Sequence, residues 1–336
     1  MLNTPIQIAA YIFVAITVFV INDAQAVQRT HVSAGFGSDA NTATNCAAAA
    51  PCRFFTAAMT VTDPNGEVIV LDSGGYGAVT ITQSVALIAP TGVYAGISVF
   101  PGADGVTIAT PGVNVVLRGL SINGQGGNTG INMTAGNRLT IENCVISNLG
   151  ASGILVNAAA TVRVTDSIVR DNFLNGISLQ NGVKATITRV VVSGNVSNFG
   201  IYLYGDIPST STVDIADSTV DGNSSGIYVR SNDSTAILKL SVRDSRILRS
   251  PNFGLYVAST AGAAASLYAS NNMVSNNVYG LLATGAGAKI ISSGNTVTGN
   301  TYTGFSNQSA IFESAGNNTV RDNGANTGTI TVIATQ

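Results

Sequence analysis

A Gly-Ile pair, or a close equivalent, returns eight times along the C-terminal two-thirds of the chain: Gly130-Ile131, Gly153-Ile154, Gly176-Ile177, Gly200-Ile201, Gly226-Ile227, Gly254-Leu255, Gly280-Leu281 and Gly304-Phe305. Successive glycines are 23, 23, 24, 26, 28, 26 and 24 residues apart. A fixed period in this range marks a short unit that buries its apolar side only by stacking on its neighbours, so it selects a solenoid ahead of any local propensity. A second column runs in phase with the first: Asn148, Asn172, Asn195, Asn223, Asn277, Asn300 and Asn323, with Ser250 filling the one gap. Three residues ahead of each lies an apolar side chain: Val145, Val169, Val192, Val220, Ile247, Val274, Val297 and Val320.

Each period holds three short apolar strands. In one repeat they are Ile154–Val156, Val162–Val164 and the segment around Val169; in the next, Ile177–Leu179, Ala185–Ile187 and the segment around Val192. Alternation at i, i+2 turns one residue of each strand inward and its neighbour outward. Three strands per coil, joined by Gly, Asn and Asp turns, describe an all-β chain wound as a three-sided parallel β-helix. Asparagines stacked in a turn hydrogen-bond from coil to coil, which explains a column of one polar type. The leucine-rich repeat shares the period and the Asn but needs Leu-x-x-Leu-x-Leu before it, and leucine is sparse there. From Glu67 to Ile333 there is room for roughly eleven coils of ~24 residues, stacked ~4.8 Å apart.

Composition narrows the function classes. Only 10% of the 336 residues are charged, and 15 Lys and Arg against 17 Asp and Glu leave a net charge of −2. A nucleic-acid binder carries a basic surplus, and a disordered chain lacks the 45% apolar content found here. Residues Ile6–Ile21 form an apolar run that ends at the small-x-small pattern Ala24-Gln25-Ala26, so residues 1–26 read as a signal peptide. The run falls short of the ~20 residues that span a bilayer. No Lys or Arg precedes it, and the alternative is an uncleaved N-terminal anchor. The mature chain is then exported from about Val27, to the periplasm, the cell surface or the medium, with no membrane span after cleavage. Cys46 and Cys52 enclose a short loop and would close a disulfide in an oxidising compartment, the alternative being two free thiols. Cys144 lies within the repeat as a small buried residue. The stretch Arg53–Val61 reads as a short helix covering the open end of the solenoid. The organisation expected is an N-terminal segment over 27–66 and a repeat domain over 67–336.

The stretch Arg29-Thr30-His31-Val32-Ser33-Ala34-Gly35, with Ala50-Pro51-Cys52-Arg53 after it, resembles exported bacterial right-handed parallel β-helix repeat proteins. Gly66-Glu67-Val68-Ile69-Val70-Leu71-Asp72, Gly75-Tyr76-Gly77 and Val79-Thr80-Ile81 are similar to the opening coils of the same group. The resemblance covers essentially all of the mature chain. It implies a right-handed coil and membership of the pectin-lyase-like superfamily, which holds lyases, hydrolases, epimerases, tailspikes and adhesins. Fold membership at that level assigns no chemistry. Lyases of this fold use calcium held by clustered acids with Arg or Lys as base, and its hydrolases share adjacent aspartates and a Gly-His-Gly segment. This chain has no Asp-Asp pair and no Gly-His-Gly, and its one histidine, His31, lies in the first strand of the mature segment.

Two columns of side chains carry the functional expectations. Six residues before each ladder position stand Glu142, Asp166, Arg189, Asp217, Asp244 and Asn271. Stacking sets Arg189 between Asp166 and Asp217, an arrangement capable of acid–base work on a glycoside. The pair Asp217 and Asp244 offers oxygen ligands for calcium, the one cofactor considered, and the cysteines make no metal site. Ordinary turn chemistry accounts for the same Asp-Ser pairs, the carboxylate accepting local backbone N–H bonds, and takes precedence. The outward column of the Gly-Ile strand reads Asn132, Leu155, Ser178, Tyr202, Tyr228, Tyr256, Leu282 and Ser306. Three tyrosines at one-coil spacing, widened by Tyr204 and with Arg230 close by for an acidic sugar, form a stripe able to stack sugar rings. Stacking that merely stabilises the sheet is the competing account. The expectation is therefore an exported polysaccharide-binding or surface structural module whose partner is a polysaccharide or cell-surface glycan rather than nucleic acid. The alternatives are a lyase or glycoside hydrolase, and a surface adhesin.

Overall fold

The computed structural model describes residues 27–260, 262–327 and 329–333; the leader expected over residues 1–26 lies outside them. One coil shows how the pattern becomes structure. Thr161–Thr165 is a strand of the first sheet, Ile168–Arg170 of the second and Ile177–Gln180 of the third, after which Lys184–Thr188 returns to the first. Val162, Val164, Val169, Ile177 and Leu179 point inward and are fully buried. Each strand pairs in parallel with its equivalent one coil away, as Val162↔Ala185 and Ile177↔Ile201 illustrate. The result is three parallel sheets of 13, 11 and 11 strands around one apolar core. The Gly-Ile column lies in register throughout the third sheet, from Ile131 to Phe305.

The two sharp corners explain the polar columns. Each turns on a single left-handed residue, which favours Gly, Asn and Asp. Between the first and second sheets that residue is Asn143, Asp166, Arg189, Asp217, Asp244 or Asn271, with φ between 52° and 55°. Between the second and third it is Asn148, Asp171, Gly194, Gly222, Arg249 or Asn276, with φ between 51° and 66°. The asparagine ladder is the residue after this second corner. Asn172 Nδ2 donates to Asn195 Oδ1 at 3.0 Å, and Asn195 Nδ2 to Asn223 Oδ1 at 2.6 Å. Asn277, Asn300 and Asn323 continue it. Asn148 is not a rung, contrary to expectation; its neighbour Leu149 occupies that level and donates its backbone N–H to Asn172 Oδ1 at 3.2 Å. The same offset of one residue makes Ile146, not Val145, the inward side chain of that coil. Ser250 keeps its place in the column, but its buried Oγ has no partner.

A second ladder, not anticipated from the sequence, follows the first corner. Ser167, Ser218, Ser245, Asn272, Asn295 and Asn318 there each accept a backbone N–H from the coil before, at 2.8–3.1 Å. Cys144 lies at the head of this column. Burial pushes its thiol up to about 11, so it stays protonated and inert at neutral pH.

The N-terminal segment closes the first coil. Val27–Val32 pairs in parallel with Thr62–Val70, and Cys46 and Cys52 are disulfide-bonded beside it. The helix α1, Phe55–Met59, is shorter than the Arg53–Val61 expected, and it packs on Val79–Ile81, the first strand of the third sheet. Phe55 meets the buried Tyr76 ring at 5.4 Å. Tyr76 in turn donates to Asp72, which also accepts from Ala34 N at 2.7 Å, Ser33 Oγ at 2.8 Å and Gly35 N at 2.9 Å. Burial by itself would raise the Asp72 carboxyl, but these four donors outweigh it and hold the group at about 2. A lowered carboxylate stabilises the fold above its unfolded value and loses that contribution as pH falls through the folded one. Protection of the Ala34 and Gly35 amides, taken relative to their intrinsic exchange rates, is therefore expected to fall between about pH 4 and pH 2, and Asp72→Asn to abolish that pH dependence.

Candidate functional site

The outer face of the third sheet gathers the largest cluster of aromatic rings among the described residues. Ser178, Tyr202, Tyr228, Tyr256 and Leu282 are in register at one-coil spacing. The Tyr202 and Tyr228 rings stack with centroids 5.5 Å apart, and those of Tyr228 and Tyr256 at 4.5 Å. Tyr204 stacks beside Tyr202 at 5.3 Å. The expected trio is not uniformly exposed. Phe199 and Phe253, each two residues before a strand apolar, lean across the middle ring at 4.9 and 5.5 Å. Tyr228 keeps only 8% of its surface, whereas Tyr202, Tyr204 and Tyr256 are half-buried. Tyr228 thus braces the stripe while its neighbours face outward. Burial raises the phenols of Tyr202 and Tyr228 well above the ordinary range, against the opposing pull of Arg230, so both remain donors.

A polar fringe borders the rings. Arg230 Nε donates to Asn232 Oδ1 at 2.9 Å, and Asn232 Nδ2 donates to the Tyr204 hydroxyl at 3.0 Å. Thr260 Oγ1 also reaches Asn232 Oδ1, at 2.9 Å, and Tyr256 shares a 2.8 Å hydroxyl–hydroxyl bond with Thr284. Asn232, Thr260 and Thr284 escaped sequence reasoning because they lie at strand ends, where loop length varies from coil to coil. The same outward column continues toward the N-terminal end as Thr80, Thr107 and Asn132. There a cleft of about 580 Å³ opens between α1 and the sheet, lined by Thr60, Thr80, Asp104 and Thr107 among others. Asp104 accepts from Asn132 Nδ2 at 2.7 Å at its edge. An aromatic platform with hydroxyl, amide and guanidinium groups beside it suits a ligand with apolar ring faces and polar edges.

The charged column has a different geometry. Register places Asn143, not Glu142, in it, and Glu142 instead pairs with Arg118 at 2.8 Å. Arg189 grips Asp166 with two bonds, Nε–Oδ1 2.7 Å and Nη2–Oδ2 2.8 Å, on an exposed corner. These hydrogen bonds hold the Asp166 carboxyl below its usual range, the opposite of what a proton donor requires. Asp244 is paired with Arg243 at 3.2 Å. Among the described residues no three His, Cys, Asp or Glu side chains gather into a group able to hold a metal ion, and no helix is long and apolar enough to cross a membrane.

Residues 60–206 and 92–242, overlapping matches that together take in more than half the chain, fit the family model described as the right-handed β-helix region. The chain belongs to that family. Its likeness to solved structures has the same content. The pectate lyase Pel9A is 16% identical with a TM-score of 0.54, over 89% of this chain and 80% of that one. The A-module of the mannuronan C-5 epimerase AlgE4 from Azotobacter vinelandii is 15% identical with a TM-score of 0.54, over 81% of this chain and 91% of its own. XylC, solved in complex with xylose, is 10% identical with a TM-score of 0.56, over 83% and 69%. At these identities the likeness is one of fold. No curated protein sequence matches the chain.

Proposed function

We propose that the protein is an exported β-helix that binds a polysaccharide along the outer face of its third sheet, with Tyr202, Tyr256 and Tyr204 contacting sugar rings and Arg230 meeting an acidic group. The observation that carries this reading is the stack of tyrosines at one-coil spacing, braced by Phe199 and Phe253 and fringed by hydrogen-bonding side chains. Rings held rigid by their neighbours lose little conformational freedom on binding, which favours affinity. The polysaccharide-active neighbours support a glycan partner, since the fold they share exposes the same kind of long sheet face. A binding role is favoured over acid–base catalysis because the acid–cation pair of the candidate catalytic column, Asp166 with Arg189, is exposed and its carboxyl is held ionised.

The test is a panel of pectate, mannuronan and xylan, with and without calcium, read for both binding and new reducing or unsaturated ends. Binding without product is expected. Truncating Tyr202 and Tyr256 together to alanine is expected to weaken it by about 2 kcal/mol, roughly thirtyfold in Kd, while the circular dichroism stays that of the parent. Product that disappears in Asp217→Asn or Asp166→Asn would replace this reading with an enzyme.

A further inference from the structure

The outer face of the first sheet carries a second pattern, chemically unlike the tyrosine face. One outward column reads, coil by coil, Arg138, Thr161, Lys184, Thr212, Lys239, Ser266 and Lys289. A cation alternates with a small hydroxyl over seven successive coils, and the column takes in all three lysines of the chain. Alternate coils set the cations roughly 10 Å apart, twice the strand spacing. Among the described residues Arg138, Lys184 and Lys239 are exposed and make no ion pair, whereas Lys289 is engaged with Glu313 at 3.0 Å. Arg163, also exposed and unpaired, lies two residues along the intervening strand. The face is concave at two points along this line. A hollow of about 450 Å³ is lined by Arg138, Thr161 and Arg163, and one of about 350 Å³ by Lys239, Ser266 and Lys289.

A column meant only to stabilise the sheet would interleave acids with these cations, since opposite charges on adjacent strands attract. Hydroxyls stand within this column instead, and the acids of the face lie beside it: Glu142 paired with Arg118, Glu313 with Lys289, and the exposed Asp214 two residues along from Thr212. We infer that the outer face of the first sheet is a second glycan-binding surface, for an extended anionic polysaccharide whose acidic groups recur on alternate sugars. A pyranose ring spans about one strand spacing, ~5 Å, so carboxylates on every second ring meet successive cations while the sugars between them meet Thr161, Thr212 and Ser266. Nucleic acid fits poorly, because its phosphates recur at about 3.4 Å along each strand. The inference is independent of the tyrosine face and stands or falls separately from it.

Hyaluronan, with one carboxylate per disaccharide, is the probe, used with the full-length protein at low and moderate salt. Binding is expected at low salt, weakened by added salt through screening. Lys184→Gln combined with Lys239→Gln is expected to raise the Kd about tenfold, and Arg246→Gln, at an exposed cation of the second sheet, to leave it unchanged. Three results would overturn the inference: no binding by the parent at low salt, unaltered binding by the lysine variant, or duplex DNA of equal charge bound as tightly. Loss in the tyrosine variant alone would place the acidic polymer on the third sheet and likewise remove the need for this surface.

Discussion

Asn195→Ala is expected to lower the stability of the central coils by about 4 kcal/mol, the sum of two orphaned donors. The Asn195 side chain accepts both the backbone N–H of Asn172, at 3.1 Å, and its Nδ2, at 3.0 Å. Asn172 is fully buried and its amide has no other acceptor, so water cannot replace what is lost. On the other side Asn223 Oδ1 loses its 2.6 Å donor but keeps the Asn195 backbone N–H at 3.1 Å. The cost is therefore directional and falls on the N-terminal neighbour. Chemical denaturation gives the magnitude, and hydrogen exchange gives the direction: the Asn172 amide should lose far more protection than that of Asn195, whose bond to Asn223 Oδ1 is kept. A loss under about 1 kcal/mol, the worth of one ordinary hydrogen bond, would mean that the ladder is not a structural spine.

Gly176→Ala is expected to be nearly as damaging, for a steric reason. A Cβ there would lie 2.4 Å from Val192 Cγ1, 2.6 Å from the Gly200 carbonyl oxygen and 2.9 Å from Asn195 Nδ2. Backbone of the next coil cannot withdraw without parting the sheet, and the ladder amide cannot withdraw without losing its bonds. Overpacking of this kind costs about 3 kcal/mol at the upper end of its usual range. The glycine of each Gly-Ile pair is thus required by close approach, not by an unusual φ. Gly222 provides the contrast. It turns a corner with φ +61° and has open space around it, and equivalent corners already carry Asn148 and Asp171. Gly222→Asn is accordingly expected to change stability by less than about 0.5 kcal/mol, as surface changes usually do. Equal losses at Gly176 and Gly222 would show that the clash is not what the repeat glycine avoids.

Where the repeat was unambiguous, the sequence carried the architecture. The Gly-Ile glycine, the inward apolar residue and the buried amide all meet at one point in space, so their columns co-vary in phase and can be read without a structure. The slip at Asn148 has a specific cause. The corner residue and the ladder residue are adjacent, and both favour asparagine, the first because it tolerates the left-handed region and the second because it bonds along the axis. Nothing in the spacing of Asn148-Leu149 against Asp171-Asn172 tells them apart; only strand register does. The second ladder was hidden for a related reason, since serine after aspartate is what any turn would carry. The state of Tyr228 was not legible at all. Its cover comes from Phe199 and Phe253 in the coils on either side, while Ser225 occupies the equivalent position in its own coil.

The most direct measurement is a crystal structure of the protein with an oligosaccharide of whichever polymer it binds, at a concentration well above the measured Kd. Sugar rings lying over Tyr202 and Tyr256, with a ring edge toward Arg230 and Asn232, are the predicted result. Sugar at the Asp166–Arg189 corner, or an empty third sheet at saturating ligand, would contradict the assignment of that face.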